Sequence, residues 1–179
     1  MKLNAQILAG LARACGIASL TTIGIISIYN LPIYAQSTTF FCGSSKGVPV
    51  TYARTPRGNV PMIRWIDRSF GGNWTSQRRC EDVSRRFQRN YDNGTLKTLA
   101  TGKLNGYPVL CAAVNQDDPC TEKTLLFTLK RNANARRVVE RLLDTRGLAA
   151  GKIINQSACK EDCPIYVNVD VYLSNATPE

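Results

Sequence analysis

The sequence predicts an α+β fold: a single domain with one antiparallel sheet of about five to seven short strands, packed with two helices and stapled by disulfides. Three observations carry this. Several short segments alternate apolar and polar residues, two longer ones repeat apolar residues at three- and four-residue steps, and six cysteines follow the first 35 residues.

The N-terminus comes first. Lys2 and Arg13 precede an uncharged run, ACGIASLTTIGIISIYNLPIYA, that closes on Ala35 before the polar QSTT. This is the layout of a secretory signal peptide over residues 1–35, with the exported domain over 36–179. An uncleaved signal anchor is the alternative, because Ala14 to Ile33 reaches the roughly 20 residues a bilayer needs. Thr21, Thr22, Ser27, Asn30 and Pro32 dilute that run. Either way the basic flank stays inside and the remainder becomes periplasmic or extracellular. Cys15 is no lipid attachment site, since the apolar run follows it instead of preceding it.

The elements follow in chain order. VPVTYAR (Val48 to Arg54) and VPMIRWID (Val60 to Asp67) read as strands joined by the turn TPRGN. From Ser76 to Tyr91 the period becomes helical, with Cys80, Val83, Ser84, Phe87 and Tyr91 on one stripe. Thr75 or Ser76 caps its start and Asn93-Gly94 ends it. LKTLATG and VLCAAV are strands around an Asn105-Gly106 hairpin corner, and TLLFTLK (Thr124 to Lys130) is another strand. A second helix is expected from Asn134 to Ala149, with Asn134 as its cap and Val138, Val139, Leu142 and Leu143 as its stripe. IYVNVDVYL closes the series as a strand, with Ile165, Val167, Val169 and Val171 on one face and Tyr166, Asn168, Asp170 and Tyr172 on the other.

In an oxidising compartment the cysteines Cys42, Cys80, Cys111, Cys120, Cys159 and Cys163 form up to three bridges. Cys111 and Cys120 flank a turn-rich segment that brings strand ends together, and Cys159 and Cys163 close only a small loop. That leaves Cys42 for Cys80, tying the first strand to the first helix. The chain has no histidine, and its cysteines lack zinc-ligand spacing, so neither a metal nor another cofactor is expected.

Without Lys2 and Arg13 the exported part holds 21 basic against 13 acidic residues, a balance of +8, and 14 of the basic residues are arginine. Five of these crowd the first helix. With Cys80 at zero and about 100 degrees per residue, the apolar stripe lies within roughly 60 degrees of it, and Arg78, Arg79, Arg85, Arg86 and Arg89 fall between roughly 140 and 260 degrees. Glu81 and Asp82 precede Arg85 and Arg86 by four residues, the favourable order for helix ion pairs. The face is either solvated and internally neutralised, or an anion-binding surface centred on Arg78, Arg85, Arg86 and Arg89. Further arginines, Arg54, Arg57, Arg64 and Arg68, decorate the early strands.

Enzymatic activity is not expected. Histidine-based triads and bases are impossible here, and the thiols are committed to bridges. The Ser-x-x-Lys of SACK lacks companion motifs, and the adjacent acidic pairs do not face each other across a substrate. Trp65 and Trp74 read as core and turn packing. Nucleic acid is not an expected partner, because no aromatic stacking platform interleaves the charge. The expected partners are an anionic membrane surface, a wall polymer or an acidic protein. A different class, a small inhibitor or partner-binding module, would use the disulfide-fixed loop NQDDPC (Asn115 to Cys120) as its tip.

Three stretches, FCGSSKGVPVTYARTPRGNVPMIRW, QRRCEDVSRRFQRNYDNGTLKTLATGKLNGYPVLCAA and CTEKTLLFTLKRNANARRVVERLL, together resemble the circadian oscillating protein (COP) domain family of cyanobacteria. The motifs are Thr55-x-Arg57-Gly58 before Pro61-x-Ile63-x-Trp65, Arg79-Cys80-x-x-Val83-Ser84-x-Arg86-Phe87, the Asn105-Gly106 corner, and Leu125 to Leu129. The resemblance implies a small exported protein, peripheral to the membrane, with no established catalytic activity. It implies no ligand.

Overall fold

The computed structural model describes residues 37–67, 72–143, 145–153 and 163–179. The signal segment, Arg68 and Cys159 therefore lie outside the described residues. The elements in order are β1 (Thr39–Ser45), β2 (Val48–Thr55), β3 (Gly58–Arg64), α1 (Ser76–Asp92), β4 (Thr98–Leu104), β5 (Tyr107–Ala113), β6 (Leu125–Thr128), α2 (Ala135–Leu142), α3 (Thr145–Gly151), β7 (Lys152–Ile153), β8 (Tyr166–Asn168) and α4 (Val169–Asn175). The α+β class and the antiparallel pairing are as expected, but the strands form two sheets. One has the order β1-β2-β3 and the other β6-β5-β4-β8-β7.

Local chemistry sets the hairpins. Asn105 and Gly106 both take positive φ, 51° and 77°, which matches the twist of the flanking strands and pairs Leu104 with Tyr107. Lys46 and Gly47 do the same, at 50° and 78°, between β1 and β2. SSKG is thus a hairpin corner that the sequence reading passed over. At the β2–β3 corner Thr55 Oγ1 accepts from Arg57 N at 3.2 Å and donates to Gly58 O at 3.0 Å.

Two expectations need correction. The second helix is broken: α2 stops at Leu142, Leu143 is extended (ψ 153°), and α3 starts anew at Thr145. Its cap stands as expected, with Asn134 Oδ1 accepting from Arg137 N at 3.0 Å. The last segment is a strand only to Asn168, whose Oδ1 then caps α4 by accepting from Val171 N at 2.9 Å. Val169, Tyr172, Leu173 and Ala176 are buried at helical steps, while Val171 is exposed. Gly147 and Gly151 let α3 and α4 meet closely, since a Cβ on Gly147 would stand 2.8 Å from that of Ala176.

The two sheets share one core with α1, α2 and α4. Phe40, Val60, Met62 and Ile63 come from the first sheet, Leu99, Leu110, Leu126 and Val167 from the second, and Cys80, Val83, Phe87, Val139 and Tyr172 from the helices. Burying one face of each sheet against common helices removes apolar area from water at about 25 cal/mol per Å². A hydroxyl relay lies inside it: Thr51 Oγ1 accepts from Trp65 Nε1 and from Ser84 Oγ, both at 3.0 Å. Cys42 is bonded to Cys80 and Cys111 to Cys120, as their spacing suggested. The Cys159–Cys163 pairing lies outside the described residues.

Candidate anion-binding face

α1 begins where Thr75 Oγ1 accepts from Arg78 N at 3.2 Å and ends where Gly94 turns to φ 75°. Cys80, Val83, Ser84 and Phe87 are buried, and the Cys42 bridge pins the helix to β1. Tyr91 is half-buried beside Phe40. Asn90 is buried as well, its Nδ2 donating to Arg86 O at 2.8 Å. Polar side chains off the main stripe escape a periodicity reading, which is why Asn90 was missed.

The five arginines split by their angle on the helix. Arg78, Arg85 and Arg89, nearest the pole opposite Cys80, are exposed. Arg78 lies 5.1 Å from the ring centre of Trp74, Arg85 pairs with Asp82, and Arg89 Nη2 reaches Lys123 O at 3.3 Å. Arg79 and Arg86, at the flank of the stripe, turn toward the body. Arg79 sits 5.3 Å over Trp65 and donates to Asp67 O and Ser76 Oγ; burial pushes its guanidinium pKa down, against the pull of the Asp67 carboxylate. Arg86 is half-buried and Nη1 donates to Leu126 O on the outer edge of β6 at 3.1 Å. Of the four residues expected on the free face, Arg86 is therefore a brace between helix and sheet. The expected four-residue ion pairs are also replaced: Arg85 takes Asp82 at three residues, and Glu81 accepts from Gln77 Nε2 at 2.7 Å.

Beside the helix, Arg86 and Arg89 line a shallow groove of about 530 Å³. Asn105 and Tyr107 from the β4–β5 hairpin line it too, as do Glu122 and Thr128. Arg131 donates to the Tyr107 hydroxyl and lies 4.7 Å over its ring, a pairing across 24 residues that no local pattern signals. Arg86 and Arg89 bring two guanidinium groups to this groove, an arrangement that suits an oxyanion held by charged hydrogen bonds. Glu122, which also lines the groove, weakens that field. The early-strand arginines are engaged elsewhere: Arg54 over Phe41 at 4.7 Å, Arg64 with Glu179, and Arg57 with the carbonyls of Leu173 and Ser174.

The loop from Asn115 to Cys120 is organised by Asp118, whose Oδ2 accepts from Val114 N at 3.0 Å and Asn115 N at 2.7 Å. Those bonds, the Asn115 backbone first, hold its carboxyl pKa below the usual carboxylate range although burial opposes them. Trp65 is buried, as expected for core packing, but Trp74 is 48% exposed. Among the described residues no group of three histidine, cysteine or acidic side chains stands close enough to hold a metal ion, and no helix is long and apolar enough to cross a membrane. Two disulfides among the described residues fit an oxidising environment.

Comparison with known proteins finds the family model of Circadian oscillating protein COP23 matching residues 39–174, from the first strand into the last turn of α4. Neither a curated protein nor a solved structure matches the chain.

Proposed function

The chain belongs to the Circadian oscillating protein COP23 family, and from this and its charge distribution we propose that it is a non-enzymatic, exported cationic domain, periplasmic or extracellular, that binds an anionic surface peripherally. One observation carries the reading: α1 is fixed through Cys80 and holds Arg78, Arg85 and Arg89 out in solvent on a single side. Arg86 serves indirectly, by setting the helix against β6 and lining the groove with Arg89. The surplus of basic over acidic residues supplies the long-range attraction. Lipid head groups and wall polymers present the same oxyanions, so both are tested.

Co-sedimentation with phosphatidylglycerol-containing vesicles and with isolated wall material, titrated with salt, distinguishes them. Binding should weaken steeply above about 0.15 M salt, where charges are screened beyond about 8 Å. An Arg85→Glu/Arg89→Glu variant should lose it. Affinity indifferent to salt, or unchanged in that variant, would refute the reading. A second reading, a protein-binding module, is favoured by the preformed Asn115 to Cys120 loop, beside which Val114 stands 50% exposed. Recovery of one stoichiometric protein from periplasmic extract, lost in Val114→Asp, would support it.

A further inference from the structure

Among the described residues, the outer edge of β3 in the first sheet has no strand neighbour. Edge carbonyls of this kind invite another chain unless they are covered. Here they are covered from the same chain. Asn59 O accepts from Glu179 N at 2.8 Å, and Pro61 O accepts from the Tyr172 hydroxyl at 3.2 Å. Pro178 rests on Gly58, where a Cβ would come within 3.1 Å of the proline ring. The absence of a side chain, together with a φ of 124°, reserves that spot for a close-packed neighbour.

Glu179 is held at the surface by two side chains of the first sheet. One carboxylate oxygen accepts from the Tyr52 hydroxyl at 2.9 Å, and the other pairs with Arg64. The Tyr52 ring is itself fixed, stacked on Phe41 at 5.6 Å, and it occupies room that Gly43 leaves free, only 3.0 Å from where a Cβ would stand. Burial raises the Glu179 pKa, but the Tyr52 hydrogen bond and the Arg64 charge outweigh it and leave the group below its ordinary value. A main-chain bond at a strand edge, a seat for a proline and a Tyr52–Arg64 pair that holds an acidic side chain are the parts of a peptide-recognition site that works by strand addition.

We propose that the β2–β3 hairpin is a peptide-acceptor site, occupied in cis by residues 176–179, which in trans takes an extended partner segment carrying proline followed by an acidic residue. The tethered segment competes at an effective concentration in the millimolar range, so the site is masked until the segment is displaced. This is independent of the arginine face of α1, since Arg64 and Tyr52 lie on the first sheet.

The probe is a labelled peptide, Ser-Asn-Ala-Thr-Pro-Glu, titrated by fluorescence anisotropy into three full-length proteins: the natural chain, Glu179→Lys, and Glu179→Lys/Arg64→Ala. The lysine repels Arg64 and opens the site. Glu179→Lys should bind the peptide at least about tenfold more tightly than the natural chain, and the added Arg64→Ala should reverse the gain. In the natural chain, saturating peptide should speed hydrogen exchange at the Glu179 amide and leave α1 unchanged. Circular dichroism checks that all three proteins fold alike. Equal binding by the natural chain and Glu179→Lys, binding that survives Arg64→Ala, or no binding by Glu179→Lys at millimolar peptide would each overturn the proposal.

Discussion

Removing one disulfide at a time offers a clean test of what each bridge does. Cys42–Cys80 spans a sequence separation of 38 residues, and Cys111–Cys120 only 9. Each joins one fully buried sulfur, Cys80 or Cys111, to one half-buried partner, so the packing lost on replacement by alanine is similar. The difference between them is then the chain entropy that each withholds from the unfolded state. That entropy amounts to about 3.9 kcal/mol for the longer loop and about 2.6 kcal/mol for the shorter. Urea unfolding of Cys42→Ala/Cys80→Ala and Cys111→Ala/Cys120→Ala should therefore differ by about 1.3 kcal/mol, nearly tenfold in the unfolding equilibrium. The longer bridge should be the costlier to lose. If the two variants are equally stable, or the order is reversed, loop closure is not what these bridges contribute.

Other outcomes follow from single contacts. Thr51→Val keeps the shape but strands the Trp65 and Ser84 donors in the core, and should cost about 2 to 4 kcal/mol by urea titration. Arg86→Ala, which frees the Leu126 carbonyl, should cost about 1 to 2 kcal/mol, whereas Arg85→Ala should stay within about 0.5 kcal/mol, because only the first guanidinium braces two elements. Acid should loosen the Glu179 clasp. Its folded pKa is depressed, so the stabilisation is complete above the ordinary glutamate value and fades as pH falls through the lower one. Exchange at the Glu179 amide, corrected for its intrinsic pH dependence, should thus be protected equally between about pH 6 and 8 and lose protection below about pH 4.

What the sequence revealed depends on whether the signal was local. Both main helix caps and the Asn105-Gly106 corner are written in neighbouring residues and are present, and of the arginine sector opposite Cys80 the exposed part is Arg78, Arg85 and Arg89. The segment IYVNVDVYL misled because two periods coexist in it. Ile165, Val167 and Val169 alternate, while Val169, Tyr172, Leu173 and Ala176 follow helical steps, and the second period wins once Asn168 caps the turn. Asn168 and the first-turn Asp170 were the available clue. The split into two sheets was not legible, since it is decided by which strands pair and not by how any strand alternates. Arg86 was placed on the free face because a wheel gives an angle but not the neighbour standing there, here the edge of β6. Tyr107 with Arg131, and Glu179 with Tyr52 and Arg64, are joined across distant stretches of chain and leave no mark in either stretch.

The two indoles of this chain stand in opposite surroundings. Trp65 is sealed in the interior with its N–H bound to a hydroxyl, and Trp74 is open to water beside a cation at the start of α1. Unmodified protein thus carries two optical channels: iodide or an arriving ligand quenches the outer emitter, and loss of the interior shifts the inner one to the red. A single fluorescence titration can therefore tell docking at the helix from melting of the domain without any added dye.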